Sequence, residues 1–339
     1  MCSSDLDSVI WCTNTSSLSV TDISTAVRRP DRVVGLHFFN PAPVLDFVEI
    51  VQTIMTSEEV LEIVRRFAEE LGKQAVICDD RAGFIANALL FGYLNHAAAM
   101  FEQKYASRDD IDTAMTLGCG LPIGPLALLD LIGLDTAYQI LDTMYRQGRD
   151  RLHAPSPILK HMVTAGHKGR KSGRGFYTYA APGSPEVTEQ AIPQQNNQDA
   201  PGRLPDAVGV VGSGHMATGI IEVVAKSGLP VTFVARSDEG LDKVFSAIDR
   251  SLEKARQRGK ISDEAIASTR TNITGTTNIE DVGSTDLVVE AVVEDVRVKT
   301  AVFENLDEIC QPSCVLASTT SSLPIVELAA ATTRQIGRA

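Results

Sequence analysis

The chain has 339 residues, 44% hydrophobic and 22% charged, with a formal net charge of −12. That length and balance suit two or three globular domains, each with its own core. The acidic balance argues against a nucleic-acid partner, because phosphate binding needs a basic surface, and no apolar run reaches the roughly 20 residues of a membrane helix.

Residues 8–12 read as a buried strand, followed by a polar turn and a helix from about Val20 to Val27. Strands are predicted from Arg32 to Phe39 and from Leu45 to Val51. The apolar spacing is helical from Ser57 to Leu71 and again from Gly83 to Tyr105, with more helices to about Tyr145. Residues 181–204 are rich in Pro, Gln, Asn and Gly and read as a linker. Beyond it, strands at Val208–Val211, Val231–Val234, Leu287–Val293 and Val315–Ala317 alternate with helices, which predicts a parallel sheet. The predicted division is the end of a first nucleotide-binding domain (1–42), a helical domain (43–180), the linker, and a second, truncated nucleotide-binding domain (205–339).

The six cysteines are scattered among apolar segments, as buried free thiols are, and no His/Cys cluster completes a metal set. No basic start precedes an apolar stretch. A reduced cytoplasmic protein that needs no metal is the expectation.

One internal repeat bears on the architecture. Residues from Ser8 onward lie over those from Ser313 onward without a gap, and Thr15-Ser-Ser-Leu18 matches Thr320-Ser-Ser-Leu323 letter for letter. Each copy reads as a strand, a Ser-rich turn and a helix in the same register.

Val208-Gly-Val-Val-Gly-Ser-Gly-His-Met-Ala217 follows a strand and opens a helix. Gly212 and Gly214 allow a tight turn and close approach to a pyrophosphate, and Ala217 takes the third position, where helix and strand pack closely. At the end of the next strand an acidic residue would bind the ribose of NAD. Arg236 stands there instead, where it suits the 2′-phosphate of NADP. The other reading makes Arg236 a solvated loop residue and lets Asp238 or Glu239 reach the ribose.

His37-Phe-Phe-Asn-Pro-Ala-Pro43 precedes Leu45-Asp-Phe-Val-Glu49. A chain reversal around Pro43 sets His37 opposite Glu49. A carboxylate beside an imidazole fixes its tautomer and stabilises the imidazolium, as a general base near neutral pH requires. The same spacing also suits a core histidine with a satisfying partner.

Several segments carry a family likeness: Asn14-Thr-Ser-Ser-Leu18, Arg29-Pro-Asp-Arg-Val-Val-Gly-Leu-His-Phe-Phe-Asn-Pro41, Asp80-Arg-Ala-Gly-Phe-Ile-Ala-Asn87, Gly124-Pro-Leu126, Asp130 to Asp135 and Gly169 to Tyr177. In the second half the Gly-rich turn and Val289-Glu-Ala-Val-Val-Glu294 with Lys299 add to it. With these the sequence resembles the 3-hydroxyacyl-CoA dehydrogenase family, on the side of its bacterial 3-hydroxybutyryl-CoA members. The resemblance implies an α/β plus all-α fold, a Rossmann-type domain with the family's helical domain, here in reversed order. It implies oxidation of a 3-hydroxyacyl-CoA in fatty-acid or butyrate-type metabolism, with NAD or NADP and an acyl-CoA as partners. The apolar helix from Ala86 to Met100 would invite a homo-oligomer through the helical domain. His37 would be the base, Glu49 its orienting partner, Ser16 a donor to the substrate oxygen and Asn87 a substrate-holding residue. Asn40, Gly212, Gly214, Glu294, Lys299 and Ser321 would meet the cofactor.

The order departs from the family's, in which the nucleotide domain comes first; two fused units would contain this order at their junction. Met1 to Leu6 and Gln335 to Ala339 resemble translated adapter sequence. A fragment across such a junction is therefore the expectation, and a weak or inactive enzyme by itself, because His37 and Gly212 belong to different units. The alternatives are a non-catalytic nucleotide-binding protein on this fold, or a dehydrogenase of another 3-hydroxy acid.

Overall fold

The computed structural model describes residues 8–16, 18–188 and 204–334. The chain divides into two compact units, Met1–Gln198 and Asp199–Ala339. Most of the predicted linker, Ser17 of the repeat and both adapter-like ends lie outside the described residues.

The first unit opens with a four-stranded sheet in the order β1-β2-β3-β4. Strand β1 (Trp11–Thr13) leads through helix α1 (Val20–Ser24) to its parallel neighbour β2 (Val33–Phe38). A short reversal brings in β3 (Phe47–Gln52), antiparallel to β2, and helix α2 (Glu58–Glu70) leads to β4 (Gln74–Asp79), parallel to β3. Ser57 caps α2, its hydroxyl accepting from the Val60 N–H, and Glu58 and Glu59 suit the positive end of the helix. Val60, Leu61, Val64 and Ala68 form the buried stripe of α2, packed on Val34, Leu36, Val48 and Ile50 of the sheet.

The division predicted at residues 42 and 43 is corrected here. β3 is hydrogen-bonded to β2, and β4 to β3, so the sheet runs on to Asp79. β4 is an edge strand, mostly exposed, and its sequence lacks the alternation that marks a half-buried strand.

Helices α3 (Ala86–Glu102), α4 (Arg108–Thr113), α5 (Pro125–Ile132), α6 (Leu134–Gly148) and α7 (Pro157–Thr164) follow. Leu94, Leu126, Leu129, Leu134, Leu141, Met144 and Leu159 are fully buried in their common core. α3 starts three residues later than its apolar spacing suggests. Gly83 and Phe84 have φ of +79° and +49°, outside the right-handed helical region.

The second unit is a five-stranded parallel sheet in the order β7-β6-β5-β8-β9. Its elements are β5 (Val208–Val211), α8 (His215–Lys226), β6 (Val231–Val234), α9 (Asp238–Gln257), α10 (Asp263–Thr271), β7 (Ile273–Thr276), β8 (Leu287–Glu290), α11 (Val296–Ile309), β9 (Val315–Ser318) and α12 (Ile325–Ala330). Ile221 of α8 and Ile248 of α9 pack with Val210 and Phe233, while Leu306 of α11 packs with Val211 and Val288 in a separate cluster. β5 has β6 on one side and β8 on the other, the point where the strand order reverses. Among the described residues no helix is long and apolar enough to cross a membrane.

The repeat has the same local structure in both units. On the ungapped alignment Val20, the first residue of α1, falls on Ile325, the first of α12. Their surroundings differ. Val20 is 0% exposed, packed with Val33 of β2 and Val51 of β3, whereas Ile325 is 58% exposed beside the edge strand β9.

Candidate active site

In the first unit the antiparallel register of β2 and β3 places His37 opposite Glu49. His37 Nδ1 lies 2.8 Å from Glu49 Oε2, and both side chains are buried. Glu49 Oε1 accepts from the N–H groups of Ile85 (3.1 Å) and Ala86 (2.9 Å), the first donors of α3. One carboxylate therefore holds the imidazole with one oxygen and a helix N-terminus with the other. Burial raises the Glu49 carboxyl, but the bonds from His37, Ala86 and Ile85 outweigh it and hold the group below its usual range. Phe39 and Phe84 pack on the imidazole, with ring centroids 4.4 and 5.5 Å away.

Asn87 follows Ala86 in the first turn of α3, half-buried, so the bond to Glu49 ties it to the His37 pair. Ser16 lies on the turn leaving β1, and Asn40 lies just past β2. Because β1 and β2 are parallel, with Thr13 opposite Gly35, both residues leave the sheet at the edge where His37 sits. The Phe38 N–H donates to Asn14 Oδ1 (2.8 Å), which ties the Ser16 turn to β2. At the N-terminus of α1, Asp80 accepts from the Val20 and Thr21 N–H groups and the Ser19 hydroxyl. The sequence marked Asp80 only as part of a motif. Its role as a cap depends on a contact 60 residues away.

Glu49→Gln separates positioning from chemistry here. The amide oxygen can still accept from Ile85 and Ala86, but the amide nitrogen then faces His37 Nδ1 and forces it to be an acceptor. The expected result is an unchanged melting temperature with turnover at least about tenfold lower, within the usual scale of proton-transfer effects. Turnover within twofold of the parent would show that His37 does not depend on this carboxylate.

In the second unit Gly212 follows β5 with φ +140°, and a Cβ there would collide with the carbonyl oxygen of Ala291. Gly214 is the N-cap of α8, and a Cβ there would meet nothing within 4 Å. Ala217 is fully buried on the first turn of α8. The open space over a helix N-terminus, walled by a close backbone turn, fits a pyrophosphate. Past β6, Arg236 is exposed, and the Ser237 hydroxyl caps α9, whose first turn holds Asp238 and Glu239.

Past β8 the Glu294 Oε1 atom accepts from the Thr320 hydroxyl (2.6 Å), the Ser321 and Ser322 N–H groups (3.1 and 3.2 Å) and the Ser322 hydroxyl (3.0 Å). Those donors, the Thr320 hydroxyl foremost, hold the Glu294 carboxyl down to about 2. Ser321 thus meets Glu294 through its backbone. Lys299 differs from the expectation of a direct cofactor contact. Its side chain is 0% exposed, and its ammonium lies 2.9 Å from both oxygens of buried Glu290 and 3.4 Å from Glu294 Oε2. Sequence spacing does not single out Glu290, because a carboxylate in an apolar strand shows no partner until the chain folds.

Comparison with known proteins bears on the family. The NAD binding domain of 3-hydroxyacyl-CoA dehydrogenase matches residues 4–81 and 207–337, and that enzyme's C-terminal domain matches residues 83–179. The 3-hydroxybutyryl-CoA dehydrogenase of Mycobacterium tuberculosis is 48% identical over 176 residues, 52% of this chain and 61% of that protein. The human mitochondrial hydroxyacyl-coenzyme A dehydrogenase is 48% identical over 171 residues, 50% of this chain and 54% of its own length. Among solved structures, the (S)-3-hydroxybutyryl-CoA dehydrogenase of Ralstonia eutropha is 40% identical with a TM-score of 0.50, over 51% of this chain and 61% of the other. The Escherichia coli 3-hydroxybutyryl-CoA dehydrogenase is 30% identical with a TM-score of 0.50, over 71% of this chain and 55% of the other. The chain thus spans rather more than half the length of the relatives it matches. Two stretches matched by the NAD binding domain flank one C-terminal domain, and the chain belongs to the 3-hydroxyacyl-CoA dehydrogenase family.

Proposed function

We propose that the chain carries the proton-transfer site and a dinucleotide site of an oxidoreductase interconverting 3-hydroxyacyl-CoA and 3-oxoacyl-CoA. The observation that carries this reading is the buried His37–Glu49 pair bonded to the helix end that bears Asn87. Glu49 engages Nδ1, so Nε2 is the nitrogen left to take the proton of the substrate's 3-hydroxyl. As that proton moves to Nε2, the Glu49 carboxylate offsets the imidazolium charge. A bound nicotinamide cofactor would accept the hydride from C3. Ser16 and Asn87 are neutral donors, suited to polarise the developing carbonyl oxygen without trapping it. Asn40, at the same sheet edge, is proposed to face the cofactor, and Gly212, Gly214 and Ala217 to form a pyrophosphate turn. The same reading assigns α3, where Leu89 is 73% exposed, as a face through which copies associate.

The test follows the reduced-nicotinamide absorbance with acetoacetyl-CoA and either NADH or NADPH. Oxidation that requires the CoA portion supports the reading. Equal rates with free acetoacetate favour a dehydrogenase of another 3-hydroxy acid, and dinucleotide binding with no oxidation fits either a non-catalytic binder or a chain whose His37 and Gly212 belong to different units. If Arg236 pairs with a 2′-phosphate, the chain binds NADPH more tightly than NADH, and Arg236→Ala erases the difference, because a charge-assisted bond is lost. Equal affinities in the unsubstituted chain return the ribose to Asp238 or Glu239 and make NAD the cofactor.

A further inference from the structure

We infer that Glu290 is a positioning residue for the dinucleotide: paired with Lys299 inside the sheet edge, it fixes the Glu294 carboxylate toward the half of the cofactor beyond the pyrophosphate. This rests on the dinucleotide reading of the second unit and adds to it a residue and a direction. A dinucleotide lies across the carboxyl ends of a doubly wound sheet, with its pyrophosphate on the turn after the central strand. That turn is Gly212 to Gly214, after β5. β6 leads to Arg236 on one side and β8 to Glu294 on the other, so the two nucleotides fall to opposite sides of β5. The side of Arg236 takes the adenosine, and the side of Glu294 takes the second nucleotide.

Glu290 ends β8 and is 0% exposed. Its Oε1 accepts from Lys299 Nζ (2.9 Å) and the Val292 N–H (2.6 Å). Its Oε2 accepts from Lys299 Nζ (2.9 Å) and the Ser318 hydroxyl (2.7 Å). One carboxylate therefore joins the exit of β8, the end of β9 and the first turns of α11. The Lys299 ammonium faces Glu290 on one side and Glu294 Oε2, 3.4 Å away, on the other. Glu294 Oε1 is already saturated by the turn at Thr320 to Ser322. Its Oε2 remains, on a side chain 39% exposed, as the oxygen open to a ribose hydroxyl. For stability alone, apolar residues of similar volume serve at least as well as a buried ion pair. What the pair adds is a cation held at a set place behind one surface carboxylate.

The experiment uses the full chain and compares two ligands. One is whichever of NADH and NADPH binds more tightly, followed by nicotinamide fluorescence. The other is ADP, which has the adenosine and pyrophosphate but lacks the second nucleotide, followed by calorimetry. Glu290→Gln leaves a buried ammonium without its counter-charge and can fail to fold. The double variant Glu290→Met with Lys299→Met removes both charges and keeps the volume. In the folded double variant the dinucleotide Kd is expected to rise at least about tenfold, the worth of one hydrogen bond to a charged group, while the ADP Kd stays within about twofold. Glu294→Gln should weaken the dinucleotide similarly, and adding it to the double variant should cost little more. Unchanged dinucleotide affinity in the folded double variant overturns the inference. So does an equal loss for both ligands, which marks a merely structural role. An unsubstituted chain that binds neither ligand overturns the dinucleotide reading, and this inference with it.

Discussion

Replacing His37 with glutamine is expected to slow reduction of acetoacetyl-CoA by about 10²-fold or more while the chain stays folded. The imidazole is the proposed proton acceptor, and an amide has no basic nitrogen. The fold should survive for a specific reason. Glu49, fully buried, would keep the N–H groups of Ile85 and Ala86 and could accept from the new amide in place of His37. No buried charge is stranded, which is the usual route to severe destabilisation. Rates should be read with enzyme in excess over substrate, so that even a slow chain is measured, with circular dichroism as the check on folding. A folded variant that turns over within a few-fold of the parent removes His37 from the role of base.

Gly212→Ala and Gly214→Ala, two residues apart, should fail in opposite ways. Gly212 has φ +140°, and its missing side chain leaves room for the Ala291 carbonyl oxygen. Alanine there brings backbone strain on the order of 1–3 kcal/mol and overpacking of about the same size. The second unit should melt at lower temperature and lose ADP and the dinucleotide together. Gly214 has φ −77° and open space around it, so Gly214→Ala should leave the melting temperature unchanged. Its methyl group would stand in the space assigned to the pyrophosphate, and both ligands should bind at least about tenfold more weakly, a loss of about 1.4 kcal/mol. A Gly214→Ala chain that binds ADP as tightly as the parent would show that no phosphate sits over this turn.

The local patterns carried much of this. A strand, two glycines and a helix with Ala217 inward are enough to announce the turn after β5. The short reversal around Pro43 is enough to set His37 against Glu49, because antiparallel pairing counts outward from the bend. β4 and β7 escaped the same reading. β4 is exposed on an edge, and β7, Ile-Thr-Gly-Thr, buries only Ile273, so neither shows a period that burial would impose.

By itself the sequence determined the family, the order of its two kinds of domain, the repeat that begins at Ser8 and again at Ser313, and the residues that face each other across a single tight turn. All of these are local or written in register. Tertiary structure alone decided that the first sheet continues through β4, that Glu49 caps α3, and that Lys299 points inward to Glu290 rather than outward. Each of those rests on a buried carboxylate or a strand edge whose partner is distant in the chain. Which partner a buried charge takes is settled by what else is excluded from water beside it, and composition and spacing do not record that.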